Sequence, residues 1–221
     1  MNEFRFPSRS SRVSIIGMTG SGKTRFGAWL FSHWINKNSI SVIIDFKGDD
    51  LIAQIDRAVE IDLKTIPTKP GLYVLRPRPD QADVVDAWLW KVWSKGNIAL
   101  FIDEGYMIPK SKALDAILTQ GRSLKIPAMV LTQRPVFCSR FVFSQADFFA
   151  AFFMNDKRDW ETVAAFTPQN GIFAQNYDPP AFTCRWYDVS KRYSTLIDPV
   201  PGDAYILNRF NDLLRNPIRS L

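Results

Sequence analysis

Cysteine and histidine are scarce, with two cysteines (Cys138, Cys184) and one histidine (His33) in 221 residues. No CxxC pair or Cys/His ligand spacing occurs, so neither a zinc site nor a disulfide framework is suggested and a reducing, cytoplasmic setting fits. His33 has no histidine or cysteine near it in sequence, and its expected place is packed on the helix it ends. Long apolar runs are lacking too. The longest strongly apolar stretch, residues 148–154, falls far short of the ~20 residues a membrane-spanning helix needs. The first eleven residues are polar and basic, with no apolar segment of signal-peptide type. Membrane contact would therefore be peripheral. Internal repeats and low-complexity segments are also missing.

What is present is apolar content of 46%, enough to bury a full core within one α/β domain. The expected division is a domain over residues 1–189, with a short polar N-terminal extension, and a C-terminal extension over 190–221 that carries Pro199, Pro201 and Pro217. Net charge is +6, which suits an anionic partner such as nucleic acid. Residues 110–140 concentrate it, holding Lys110, Lys112, Arg122, Lys125, Arg134 and Arg140 against the single acid Asp115.

Strand and helix patterns alternate. Short β-branched or apolar runs at 13–16, 41–45, 71–75, 98–102, 128–131, 147–154 and 182–189 predict strands; apolar residues at three and four residue spacing predict helices over 23–34, 83–93, 113–124 and 157–166. This order implies an α/β fold with a mainly parallel sheet covered by helices on both faces, because parallel strands need crossover connections. The tryptophans of 83–93 and the phenylalanine pairs Phe148, Phe149 and Phe152, Phe153 read as core or subunit interface, not as a stacking platform for bases.

Between the first strand and first helix lies Gly17-Met18-Thr19-Gly20-Ser21-Gly22-Lys23-Thr24, a full GxxxxGK[ST] match. Glycines there let backbone N–H groups curl round phosphates, and the following helix presents its positive end. Lys23 would reach the β- and γ-phosphates of ATP, and the Thr24 hydroxyl would ligate Mg²⁺. The strand at 98–102 runs into Asp103-Glu104, the form of a Walker B strand. Asp103 is the expected metal-side acid and Glu104 the base that positions a hydrolytic water. Gln133, ending the neighbouring strand, suits a γ-phosphate sensor. Arg122 lies across the intervening helix from Glu104, where it suits a finger delivered to a neighbouring subunit.

These motifs, with Ile44-Asp45-Phe46-Lys47-Gly48, Gly121-Arg122 and Thr132-Gln133-Arg134-Pro135, resemble the FtsK/HerA superfamily over about residues 13–155. The short length, without a membrane segment or large appended domain, is most similar to the genome-packaging ATPases of tailless icosahedral viruses that carry an internal membrane. Phe46 stands where a proline is common in that family, and no family motif follows Met154. The resemblance implies a RecA-like P-loop NTPase core that forms a homo-oligomeric ring, usually a hexamer. Such a ring moves double-stranded DNA by ATP hydrolysis into a preformed capsid, with capsid vertex proteins as further partners and the host cytoplasm or the virion as its place. It also implies the Walker A roles for Lys23 and Thr24, the Walker B roles for Asp103 and Glu104, the sensor role for Gln133 and the trans-acting finger for Arg122.

Other readings of the same residues are a related motor for conjugation or phage extrusion, a nucleotide-switched ring-forming assembly protein with little turnover, and a small-molecule kinase. Glu104 argues against the assembly protein. A kinase would need an acceptor-binding lid and has no use for Thr132-Gln133.

Overall fold

In the computed structural model, which describes residues 4–173, 180 and 182–215, the chain opens with β1 (Arg12–Ile16), α1 (Lys23–Ser32), β2 (Ile40–Asp45), the one-turn α2 (Asp50–Ala53), β3 (Val59–Ile61) and β4 (Gly71–Leu75). It continues with α3 (Ala82–Lys95), β5 (Ile98–Asp103), α4 (Lys112–Gln120), β6 (Ala128–Thr132), α5 (Phe141–Ser144), β7 (Phe148–Ala151), α6 (Lys157–Ala164), β8 (Cys184–Asp188), β9 (Tyr193–Ile197) and α7 (Asp203–Arg215). Among the described residues the strands form one sheet in the order β3-β4-β2-β5-β6-β1-β7-β8-β9. It is parallel from β3 to β7, and β8 and β9 are added antiparallel at one edge.

Side-chain alternation divides this sheet between two cores. On β5, Ile98, Leu100 and Ile102 join α3, α4, α5 and α6 on one face, while Ala99 and Phe101 join α1, α2 and α7 on the other. A strand buried on both faces has no polar alternation to keep, which is why Ile98–Asp103 reads as a continuous apolar run. The expected α/β architecture is therefore present: a mainly parallel sheet between two helical layers.

Element ends differ from the sequence pattern where a local turn takes over. The helix expected over 113–124 stops at Gln120, because Ile126 N–H closes back on the Gly121 carbonyl at 2.7 Å and Lys125 takes a left-handed φ of 56°. Gly121 permits this closure: a Cβ there would lie 2.3 Å from the Ile117 carbonyl oxygen and 2.8 Å from that of Ile126. Strand β7 covers only 148–151 of the expected 147–154, since the chain then leaves the sheet toward the P-loop.

Residues 190–215 of the expected C-terminal extension continue the domain. β9 pairs with β8, and α7 buries Ile206 and Phe210 completely in the core it shares with α1. Residues 216–221 of that extension, with Pro217, lie outside the described residues. His33 sits at the C-cap of α1, its ring 4.1 Å from that of Phe6 and its Nδ1 2.9 Å from the Arg209 guanidinium. Trp88, Phe148, Phe149 and Phe152 are all buried core residues.

Candidate active site

Because β1, β2, β5, β6 and β7 are parallel, the loops that follow them all open at the same edge of the sheet, the carboxyl edge where α/β proteins bind ligands. The turn after β1 is tied to both neighbours: Gly17 N–H donates to the Thr132 carbonyl at 3.3 Å and Met18 N–H to that of Phe153 at 2.9 Å. Gly20 (φ 79°) and Gly22 (φ 102°) hold left-handed conformations that a side chain resists. Gly22 then caps α1, so Lys23 and Thr24 occupy its first turn. Lys23 is buried and donates from Nζ to the Met18 carbonyl at 3.0 Å. Burial lowers its pKa, opposed by Glu104 and Asp103.

Asp45 and Asp103 end neighbouring strands in register. Asp45 is fully buried and accepts the N–H groups of Gly48 at 2.9 Å and Asp49 at 3.1 Å, with Arg76 Nε at 3.3 Å. It thereby shapes the turn that places Lys47 near Lys23 and Glu104, both of which feel its charge. Asp103, also fully buried, accepts from the Thr24 hydroxyl at 3.5 Å. Burial, then Glu104, pushes its carboxyl up to about 7 against the pull of Lys23. Two hard oxygen donors on a carboxylate that wants a cation suit Mg²⁺, which takes a few protein oxygens and completes its shell with phosphate and water.

Glu104 stands next along the chain in a left-handed conformation, φ 57°, rare for a side-chain-bearing residue and a pointer to function. Its N–H donates to Asp103 Oδ1 at 3.1 Å; the carboxylate is buried, with Oε2 unpartnered among the described residues. Burial raises its pKa. Gln133 joins the two halves of the site, its Oε1 accepting from the Thr19 hydroxyl and its Nε2 donating to the Tyr106 hydroxyl at 3.0 Å. Lys23, Thr24, Asp103, Glu104 and Gln133 thus gather at one edge, as expected.

Arg122 does not join them. It follows α4 near the amino edge of the sheet, exposed, and donates to Asp147 at 2.7 Å. Arg134, next to Gln133, is held by Asp156 at 3.3 Å and Asp159 at 3.1 Å. The basic window of residues 110–140 is likewise dispersed: exposed Lys110 and Lys112 flank the start of α4, while Arg122 and Lys125 follow its end, nine residues or about 13 Å of helix away.

A cavity of about 400 Å³ runs from Gly20, Gly22, Lys23 and Thr24 to side chains that carried no sequence signal, Arg25, Phe182 and Asp203 among them. Arg25 was visible only as the residue after the motif; Phe182 and Asp203 come from the part of the chain without family motifs.

A GxxxxGK[ST] turn between the first strand and first helix, at the carboxyl edge of a mainly parallel, RecA-like sheet, marks the fold of a P-loop NTPase. No protein-family model matches the chain. Over 215 residues it is 40% identical to DNA packaging ATPase P9 of Enterobacteria phage PRD1, covering 94% of this chain and 95% of that one. The chain belongs to this family of DNA packaging ATPases. Among solved structures, genome packaging NTPase B204 of Sulfolobus turreted icosahedral virus 2, in complex with AMPPCP, matches with a TM-score of 0.66 at 20% identity, covering 87% of this chain and 100% of that one. EssC (ATPases 2 and 3) of Geobacillus thermodenitrificans matches at 0.59 and 12% identity, covering 92% and 44%. At these identities the likeness is one of fold.

Proposed function

We propose that this chain is the motor that packages a viral genome, hydrolysing ATP to drive double-stranded DNA into a preformed capsid. The observation that carries the hydrolytic part is Glu104, a buried carboxylate with a free oxygen beside Asp103 and Lys23. A phosphoryl transferase needs an acceptor site there; a hydrolase needs a base to orient water. The phage relative's packaging role supports DNA as the substrate that is moved.

In this reading the P-loop N–H groups and Lys23 hold the β- and γ-phosphates. Thr24 and Asp103 would hold Mg²⁺, which would neutralise charge on the phosphate oxygens. Glu104 accepts a proton from water as its oxygen attacks the γ-phosphorus and the bond to the ADP oxygen breaks. Gln133, anchored to Thr19 and Tyr106, reports the γ-phosphate to the turn after Glu104. Arg122 serves a neighbouring subunit in a ring, a hexamer by family likeness, that encloses the DNA. The packaging role places the ring in the host cytoplasm, at a vertex of the assembling virion.

An ATPase assay with and without long double-stranded DNA tests this. Turnover stimulated several-fold by DNA is the expected result. Phosphoryl transfer to a nucleoside or sugar would sink the proposal, and binding without turnover would favour a nucleotide-switched assembly protein.

A further inference from the structure

The cavity at the phosphate-binding turn is lined by more than phosphate-binding groups. Beside Gly20, Gly22, Lys23 and Thr24 it is lined by the Phe182 ring and by the carboxylates Asp49, Asp50 and Asp203. Phosphates belong at the glycines, Lys23 and Thr24; anionic and aromatic side chains suit the uncharged, donor-rich nucleoside.

Phe182 is the ring in question. It lies on the P-loop itself: a Cβ at Gly22 would come 2.9 Å from Phe182 Cδ1. The Arg25 guanidinium sits over this ring, 4.3 Å from its centroid. Asp203, the first residue of α7, fixes the guanidinium through a two-pronged pair, Nε to Oδ1 at 2.6 Å and Nη2 to Oδ2 at 3.0 Å. The result is a planar wall, one turn of helix from Lys23, built by three distant parts of the chain. Phe182 holds a left-handed φ of 64°, and its carbonyl accepts from Val200 N–H at 3.0 Å, so the ring's place is set by the fold and not by its own backbone preference.

We infer that the Phe182–Arg25 wall is the base-binding subsite of the nucleotide site, and that Phe182 sets affinity for the nucleoside part of ATP. The inference rests on the ATPase reading. The wall shares one cavity with Gly20 to Thr24, where the phosphates would lie, and stacking on an aromatic or guanidinium plane needs no base-specific hydrogen bond. Asp203 is a positioning residue in this scheme, acting through Arg25.

Calorimetric titration of the full chain with ATP and, separately, with inorganic tripolyphosphate, both with Mg²⁺, tests it. Phe182→Leu keeps an apolar side chain against Gly22 and removes the π-face. It should weaken ATP binding about 10-fold, in the range of one lost base stack, and leave tripolyphosphate binding within about twofold. Phe182→Tyr should restore ATP affinity. Unchanged ATP affinity in Phe182→Leu overturns the inference, as does an equal loss for ATP and tripolyphosphate, since Phe182 would then only shape the P-loop. Failure of the underlying reading looks different: the unmodified chain would bind neither ligand, or Lys23→Ala would bind tripolyphosphate as well as the unmodified chain does.

Discussion

Arg122 donates to Asp147 at 2.7 Å on the side of the molecule away from its own P-loop, and Asp147 also accepts the backbone N–H of Arg12 at 2.9 Å. Asp147 directly precedes β7, whereas the nucleotide-binding turn follows β1, its parallel neighbour, so the two lie at opposite ends of adjacent strands. No rearrangement within one subunit brings Arg122 to its own γ-phosphate without dismantling the sheet. An exposed guanidinium with a single partner among the described residues can serve a neighbouring copy, and a surface ion pair of this kind opposes its release by only about 1 kcal/mol.

If Arg122 completes the neighbour's site, Arg122→Ala should leave folding and ATP binding near normal and reduce DNA-stimulated turnover by about 10³-fold or more, the usual effect of an arginine finger. Mixing it with Glu104→Gln subunits should partly restore activity, because some interfaces then pair an intact Glu104 with an intact Arg122. Mixed rings that form and stay inactive would refute the shared site. So would normal turnover by Arg122→Ala alone.

Glu104→Gln should retain ATP affinity while turnover falls by about 10² to 10⁴, the scale of a positioned base. Lys23, Thr24 and Asp103 are untouched by that change, so phosphate and metal contacts survive. Lys23→Ala should instead weaken binding. Native turnover by Glu104→Gln would remove Glu104 from catalysis.

The turn after β1 and the strand Ile98–Asp103 were legible because their signals are local. Three glycines, a lysine and a threonine at fixed spacing between an apolar run and a helix meet the needs of a phosphate-binding turn, and a strand buried on both faces, such as Ile98–Asp103, leaves an unbroken apolar stretch. The edges of the sheet were not legible. Val59–Ile61 is three residues long and largely exposed, and Tyr193–Ile197 is only partly buried. Helix α7 did leave a trace, with Ile206 and Phe210 four residues apart and Leu207, Leu213 and Leu214 beside them, but Pro199 and Pro201 just before it read as an appendage. Phe182 illustrates the limit. It meets Gly22 from 160 positions away in sequence, and no periodicity or motif records such a contact.

His33, the single histidine, provides a pH probe. Burial, then the neighbouring Arg209, lowers its pKa to about 4. The unfolded chain binds this proton near pH 6.5, so acidification favours the unfolded state: the stability linked to His33 is complete above pH 6.5 and declines as pH falls toward 4. The lone imidazole resonance in a proton NMR titration should therefore move near pH 4. A midpoint at 6.5 would contradict the packing against Phe6 and Arg209. His33→Gln should flatten the stability slope between pH 6.5 and 4 relative to the unmodified chain.

A motor that tracks along a genome grips phosphates and not base edges, so DNA binding should be insensitive to sequence and steep in salt, with a slope of roughly −0.9 in log K against log salt for each phosphate neutralised. The dispersal of the basic window decides where to look. Arg134 is occupied by Asp156 and Asp159, and Arg122 lies past the far end of α4, whereas Lys110 and Lys112 are exposed beside the loop that follows Glu104. Their position lies next along the chain to the turn from Glu104 to Met107, whose Tyr106 hydroxyl accepts from Gln133 Nε2 at 3.0 Å. Neutralising both lysines should lower affinity for long double-stranded DNA, reduce the salt slope by about 2, and abolish DNA stimulation while basal ATP turnover persists. A flat salt response or a sequence-specific footprint in the unmodified chain would contradict phosphate gripping. An unchanged slope in the double variant would move the gripping surface elsewhere on the molecule.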